Sequence, residues 1–331
     1  MGFETQNVER KMLAILKVLS DSQESVGARV ISRRLKDYGV ELGERAVRYH
    51  LKLMDERGLT RLLGRRDGRV LTEQGIEEVR TALVKDKVGY AISRIELLAF
   101  RTDFNPQNRT GSVPVNISLF PKGQFQKALQ AMRPAFAREI CVSDLVAIAQ
   151  EGERLGDLVV PNGKVGLATV CSIVFNGTSL KAGVPMASGF SGILQVRNNE
   201  PVRFVELIQY AGCSLDPSVV FIRARMTSVT QVIRTGEGKI LATYREIPAL
   251  CRPIVEDVVA KMREAGLGGV LVMGNASETV CEVPVELNRI GLILVNGLNP
   301  VAAAMEAGLD VENQGMSTVM DYQQLIKFQE L

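Results

Sequence analysis

Apolar residues at Val8, Met12, Ile15, Leu16 and Leu19 recur at helical spacing and predict a first helix that ends near Ser20–Asp21. Val30, Ile31 and Leu35 predict a second, closed by Tyr38–Gly39, because glycine supplies the left-handed residue that stops a helix. A third begins after Leu42–Gly43, carries Val47, Leu51 and Met54 on one face, and stops at Gly58. Two β-like segments follow, Leu59–Leu63 and Arg69–Leu71, joined by a glycine-bounded turn from Gly64 to Gly68. Thr72 suits the N-cap of a last helix through Ile76, Val79 and Leu83. Three helices, a hairpin and a closing helix are the order of a winged helix-turn-helix, assigned to residues 1–84. With Val47, Leu51 and Met54 turned inward, Arg45, Arg48, Tyr49 and Lys52 point outward, where they can meet base edges and phosphates. Arg65, Arg66 and Arg69 lie in the wing and are predicted to touch the flanking backbone or minor groove. His50, the only histidine, sits beside the buried face and is read as structural before it is read as a DNA contact. A winged helix that binds protein instead would tolerate the same pattern.

From Val88 to Leu331 the pattern changes to β-rich segments alternating with helices, so the expected fold class is α+β, a winged helix followed by a mixed α/β domain. Expected strands are Val113–Phe120, Leu158–Val160, Val165–Phe175, Gly192–Val196, Val202–Tyr210, Ile240–Tyr244, Gly269–Met273 and Gly291–Val295. Expected helices are Phe125–Arg138, Ile254–Ala265 and Pro300–Ala307. Asn162-Gly163, Asn176-Gly177 and Asn296-Gly297 read as turns. A strand, a proline and a helix recur, first around Pro121 and again around Pro248. Phe175-Asn176-Gly177 matches Val295-Asn296-Gly297, Ala182-Gly183 matches Ala307-Gly308, and Arg203–Leu207 matches Lys327–Leu331. Those matches suggest two related halves, 88–226 and 227–331, with a cleft between them for a small ligand.

Charge sharpens the picture. The chain of 331 residues carries a formal net +3, yet Arg29 to Arg69 holds twelve Lys/Arg against six Asp/Glu, a local +6 that leaves −3 elsewhere. A basic module on a near-neutral body is the outline of a nucleic-acid reader joined to a regulatory or oligomerisation domain. Five widely spaced cysteines with no CxxC pair suit reduced thiols in a cytoplasm and argue against a structural zinc site. The polar start, Met1–Arg10, does not read as a secretory signal, and no apolar run approaches the roughly 20 residues of a membrane helix.

Catalytic signatures are missing: there is no Walker loop, no G-x-S-x-G elbow and no HExxH, and Cys171 has no histidine to deprotonate it. No cofactor is expected. Cys171 reads either as an inert buried thiol or as the lining of a ligand pocket. Arg223 and Arg225, beside Thr227 and Ser228, suit a carboxylate, though a surface arginine pair would look the same.

The stretch Gly166–Ile173, with Asn176-Gly177, Lys181–Pro185, Pro201–Phe204 and Met226–Val229, resembles the regulatory domain of the NrpR family of nitrogen-regulatory repressors. The resemblance extends over the whole chain, since the family joins a winged helix to such a domain. It implies repression of nitrogen-assimilation genes, with 2-oxoglutarate as a non-consumed inducer that lowers affinity for operator DNA. It also points to Ala168, Thr169, Cys171 and Ser172 as the effector region, and Lys181, Arg223 and Arg225 are the nearest cations in sequence for a dianion. Members commonly carry two copies of the regulatory domain, whereas residues 88–331 have room for one. A homodimer or a paralogous regulatory-domain subunit would supply the second. An enzyme with a fused winged helix is the remaining alternative; turnover of 2-oxoglutarate would separate it from a sensor.

Overall fold

The computed structural model describes residues 3–20, 22, 25–36, 39–64, 68–81 and 88–331. The chain divides into two compact units, Met1–Lys87 and Val88–Leu331.

In the first unit, helices α1 (Phe3–Ser20), α2 (Ala28–Leu35) and α3 (Glu44–Glu56) precede a hairpin of β1 (Thr60–Gly64) and β2 (Gly68–Leu71), closed by α4 (Glu73–Thr81). Met12, Ile15, Leu16 and Leu19 of α1 meet Ile31 and Leu35 of α2 and Val47, Leu51 and Met54 of α3 in one core. The apolar stripes of the three helices are therefore the surfaces they bury, as amphipathic helices must. The hairpin is antiparallel, with Thr60 opposite Leu71, and a bridge between Val26 and Arg69 adds the segment before α2 as a third strand. Thr72 Oγ1 accepts from Gly75 N at 3.0 Å and caps α4. This is a winged helix. Ile76 of α4 is exposed rather than buried. Tyr38, the hairpin tip with Arg65 and Arg66, and Leu83 lie outside the described residues.

The second unit opens with α5 (Tyr90–Arg101), β3 (Ser112–Pro121), α6 (Phe125–Ala137) and β4 (Leu145–Ala149). A small hairpin follows, β5 (Arg154–Leu155) and β6 (Leu158–Val159), then β7 (Lys164–Val170), α7 (Ile173–Lys181), β8 (Ala187–Arg197) and β9 (Glu200–Gln209). Two short helices, α8 (Pro217–Arg223) and α9 (Val229–Thr235), lead to β10 (Gly238–Pro248), α10 (Arg252–Glu264), β11 (Val270–Ala276) and β12 (Arg289–Val295). The chain closes with α11 (Asn299–Glu306), β13 (Glu312–Asp321) and β14 (Ile326–Lys327). Two five-stranded sheets result, ordered β13-β3-β7-β4-β14 and β11-β12-β10-β8-β9, and every adjacent pair in them is antiparallel.

The repeated order is real at the level of elements: β3, α6, β4, β7, α7, β8 is followed by β10, α10, β11, β12, α11, β13. The division into halves at 226/227 does not describe separate bodies, because each copy gives its last strand to the other copy's sheet. β8 pairs with β10, and β13 pairs with β3. Of the short matches, Ala182-Gly183 and Ala307-Gly308 are equivalent, each ending a helix with glycine at φ 82° and 81°. The other two are not. Asn176-Gly177 lies inside α7 while Asn296-Gly297 precedes α11, and β9 pairs with β8 whereas β14 pairs with β4.

The expected strand Val165–Phe175 stops at Val170 and turns into α7 at Ile173. All but Lys164 of β7, and Ile173–Ser179 of α7, are buried, so neither segment shows an amphipathic period to tell strand from helix. Asn176-Gly177 is consequently no turn. A Cβ at Gly177 would lie 2.3 Å from Thr102 Cβ, so the glycine is there to let α7 approach the end of α5.

Candidate functional site

On α3 the buried stripe of Val47, His50, Leu51 and Met54 forces Arg45, Arg48, Tyr49 and Lys52 outward, and all four are exposed. Arg48 pairs with Glu44, and Lys52 Nζ lies 3.9 Å from Glu56 Oε1, both one helical turn apart. Exposed pairs of this kind hold about 1 kcal/mol or less, so they yield readily to a phosphate. Arg69 is engaged differently from the sequence expectation. Its Nε donates to Asp55 Oδ2 at 2.8 Å, while Asp55 Oδ1 accepts from Thr60 Oγ1 at 2.6 Å, so this arginine ties the wing to α3.

His50 is buried and its Nδ1 has no hydrogen-bond partner. Burial, then the charge of Lys11, lowers its pKa from the ordinary 6.5, so the folded ring is neutral. Protonation therefore favours the unfolded chain: the stability that His50 contributes is present above about pH 6.5 and is lost as pH falls through the lowered value. Thermal melting of the full chain at pH 7.5 and 5.5 should show lower stability at pH 5.5, and His50→Leu should shrink that difference. An unchanged difference in the variant would assign it to other groups.

In the second unit, Cys171 leaves β7 with its N–H on Pro114 O at 2.8 Å and packs with Ala91, Ile95 and Leu98 of α5, Tyr210 and Met316. Burial, reinforced by Asp216, pushes its thiol up to about 12, so it is a neutral lining group and no nucleophile. Ala168 is buried between Ile117 and Ala147 in the middle of its sheet, and Thr169 and Ser172 are buried beside it.

The cation at this place is one that sequence reasoning missed. Arg245 of β10 is 1% exposed. Its Nε donates to Asn176 Oδ1 at 3.2 Å, its Nη1 donates to Tyr244 O at 3.0 Å, and its guanidinium lies 5.1 Å from the Tyr210 ring centre. Tyr210, on whose ring it lies, packs in one apolar cluster with Cys171. Among the described residues no carboxylate forms an ion pair with it. The Asp216 carboxyl caps α8, accepting from Ser218 N at 2.9 Å, and burial raises its pKa. A buried guanidinium without an anionic partner is costly, and an incoming carboxylate removes that cost. The sequence signal was weak and local: an arginine next to Glu246 at the end of the stretch Ile240–Tyr244.

The three expected cations lie elsewhere. Lys181 is exposed at the end of α7, donating to Phe100 O at 3.3 Å with its Nζ 5.4 Å from the Phe100 ring centre. Arg223 and Arg225 are exposed around the end of α8. An open depression of about 490 Å³ lies along α9, lined by Thr227, Ser228, Gln231 and Arg234. Its anion position is taken by the chain's own Glu306, whose carboxylate accepts from Thr227 Oγ1, Val229 N and Thr230 N at 2.7–2.8 Å. Among the described residues there is no cluster of metal-ligating side chains, and no helix is long and apolar enough to cross a membrane.

Comparison with known proteins agrees with both units. The family model of NrpR regulatory domains NRD1 and 2 matches residues 88–327, and that of the ribonuclease R winged-helix domain matches residues 13–79. Global nitrogen regulator NrpRI of Methanosarcina mazei is 41% identical over 316 residues, covering 96% of this chain and 97% of that protein. Global nitrogen regulator NrpR of Methanococcus maripaludis is 33% identical and that of Methanocaldococcus jannaschii 30%; the chain covers 54% and 55% of their lengths and is itself covered to 95% and 97%. A crystal structure of a nitrogen repressor-like protein from Methanococcus jannaschii aligns with a TM-score of 0.61 at 22% identity, over 72% of this chain and 98% of that one, a likeness of fold. The named relatives are regulators rather than enzymes. A regulatory-domain match over most of the chain, behind a winged helix and beside a full-length relative, makes the conclusion direct: the chain belongs to the NrpR family.

Proposed function

We propose that this chain is a DNA-binding transcriptional repressor of nitrogen-assimilation genes that leaves its operator when 2-oxoglutarate binds the second unit. The observation that carries the effector half of this reading is Arg245, a buried guanidinium against the Tyr210 ring with no carboxylate paired to it among the described residues. A dianionic keto acid supplies the missing charge, and Arg can hold a carboxylate through two parallel hydrogen bonds. The exposed Arg45, Arg48, Tyr49 and Lys52 of α3 support the DNA half.

Coupling needs an element that packs on this region and follows the winged helix in sequence. Helix α5 is that element. Its Ala91, Ile95 and Leu98 pack on Cys171, Tyr210 and Met316. Its Arg94 donates to Met316 O at 2.9 Å and to Ser317 O. Met316 has a left-handed φ of 51° at the irregular part of β13, so a ligand that moves this segment pulls on α5 directly. A ligand shifts DNA affinity only by its preference for one arrangement over the other, and a coupling of about 1–3 kcal/mol changes operator affinity roughly 5- to 150-fold.

The test pairs calorimetry with a gel-shift titration on the full chain. Wild type should bind 2-oxoglutarate and lose operator affinity within that range. Arg94→Ala should still bind the ligand while its operator affinity responds much less. A wild type that gives no heat with 2-oxoglutarate, or whose operator binding ignores it, refutes the reading. A second reading, a co-repressor subunit working with a paralogous regulatory-domain protein, is favoured by one observation: the chain covers 54% and 55% of two NrpR relatives. A homodimer would answer the same need. Operator binding by the purified chain alone favours the homodimer over the co-repressor.

A further inference from the structure

Asn116 of β3 stands directly opposite Thr169 of β7, and each is 2% exposed. Opposed residues of an antiparallel pair share a face, with Cβ atoms about 4.5–5.5 Å apart. The orientation of the Asn116 amide is fixed by its neighbour: its Oδ1 accepts from Met316 N at 3.0 Å, which leaves Nδ2 as the free end. Nδ2 has no partner, and neither has Thr169 Oγ1. Two adjacent buried polar groups without partners are unusual in a folded core, where such groups are almost always paired.

The backbone at Gly297 packs closely beside that amide. A Cβ at Gly297 would lie 3.0 Å from Asn116 Nδ2 and 2.0 Å from Val170 O, so only glycine fits there. Met316 connects this pair to the arginine. Its backbone N–H holds Asn116, and its side chain packs with Cys171 and Tyr210, the ring against which Arg245 lies.

We infer that Asn116 and Thr169 form the subsite for the keto end of the effector, with Asn116 Nδ2 donating to the 2-oxo oxygen while Arg245 holds the distal carboxylate. The inference rests on the effector reading above and adds its specificity. A ketone oxygen only accepts, and the free end of this amide only donates, so the two match; glutarate, which lacks the oxo group, leaves the donor unpaired.

Calorimetry on the full chain with 2-oxoglutarate and with glutarate tests it. Wild type should prefer 2-oxoglutarate by about tenfold or more, as a site built to hydrogen-bond one group rejects the analogue without it. Asn116→Ala should bring 2-oxoglutarate down to the glutarate level and leave glutarate nearly unchanged. Thr169→Val, close in shape and therefore safe for folding, should lose part of the same preference. Retention of the full preference in both variants, or an equal loss for both ligands, overturns the subsite. Wild type binding neither ligand overturns the effector reading along with it, a result separate from wild type binding both equally, which removes the subsite alone.

Discussion

Arg245→Gln should abolish the response to 2-oxoglutarate while leaving operator binding in place. Glutamine keeps a planar polar end near Asn176 and Tyr244 O but cannot offer a charged fork to a carboxylate. Hydrogen bonds to charged groups contribute about 1.5–3 kcal/mol each, so losing two of them should weaken the effector by roughly 100-fold or more. The accompanying stability change separates a ligand site from a structural one. If the guanidinium is present to receive an anion, removing its unpaired charge should leave the melting temperature level or raise it. If Arg245 serves only as a core strut, Gln should lower the melting temperature and leave calorimetric affinity for 2-oxoglutarate as it was. Operator titration of the variant should then give the same curve with and without the keto acid.

Replacing Arg45, Arg48 and Lys52 together by alanine should all but remove specific DNA binding. The three side chains are exposed on one face of α3, opposite the core positions Val47, Leu51 and Met54, so the fold should survive their replacement. Each phosphate that is no longer neutralised should lower the slope of log affinity against log salt by about 0.9, and two or three such phosphates give a drop of roughly 2–3 units. Affinity near 0.15 M salt should fall by about 100-fold or more, with one of these groups reading a base edge in the proposed docking. Arg69→Ala should behave differently. It breaks the link to Asp55 that holds the wing against α3 and should lower stability along with binding. A triple variant with an undiminished salt slope would assign the winged helix to protein contacts.

In the proposed reading, a small ligand near Cys171 acts through the way the second unit is built. Because each copy of the repeat donates a strand to the other's sheet, the region around Cys171 is built from elements far apart in sequence: α5, the end of β7, the residue after β9, β10 and the irregular part of β13. A movement of Met316 is therefore felt by α5 through Arg94 and by β3 through Asn116. The surface cations Lys181, Arg223 and Arg225 have no comparable reach into the fold, being solvent-exposed.

Local patterning by itself determined the winged helix: α1, α2 and α3 each have one wet face, so the positions buried at Ile15, Ile31, Val47 and Leu51 repeat with the period of the helix. It also determined the outward basic face of α3 and the stretch around Cys171 that carries the family likeness. Only the tertiary structure decided that Val165–Phe175 splits into a strand and a helix, that the two related halves exchange strands, and that Arg245 rather than Arg223 is buried, against the Tyr210 ring. The reason is the same in each case. A segment buried on all sides has no polar face to display its period, and the meaning of a charge such as Arg245 depends on Asn176 and Tyr210, neighbours brought to it by the fold rather than by sequence.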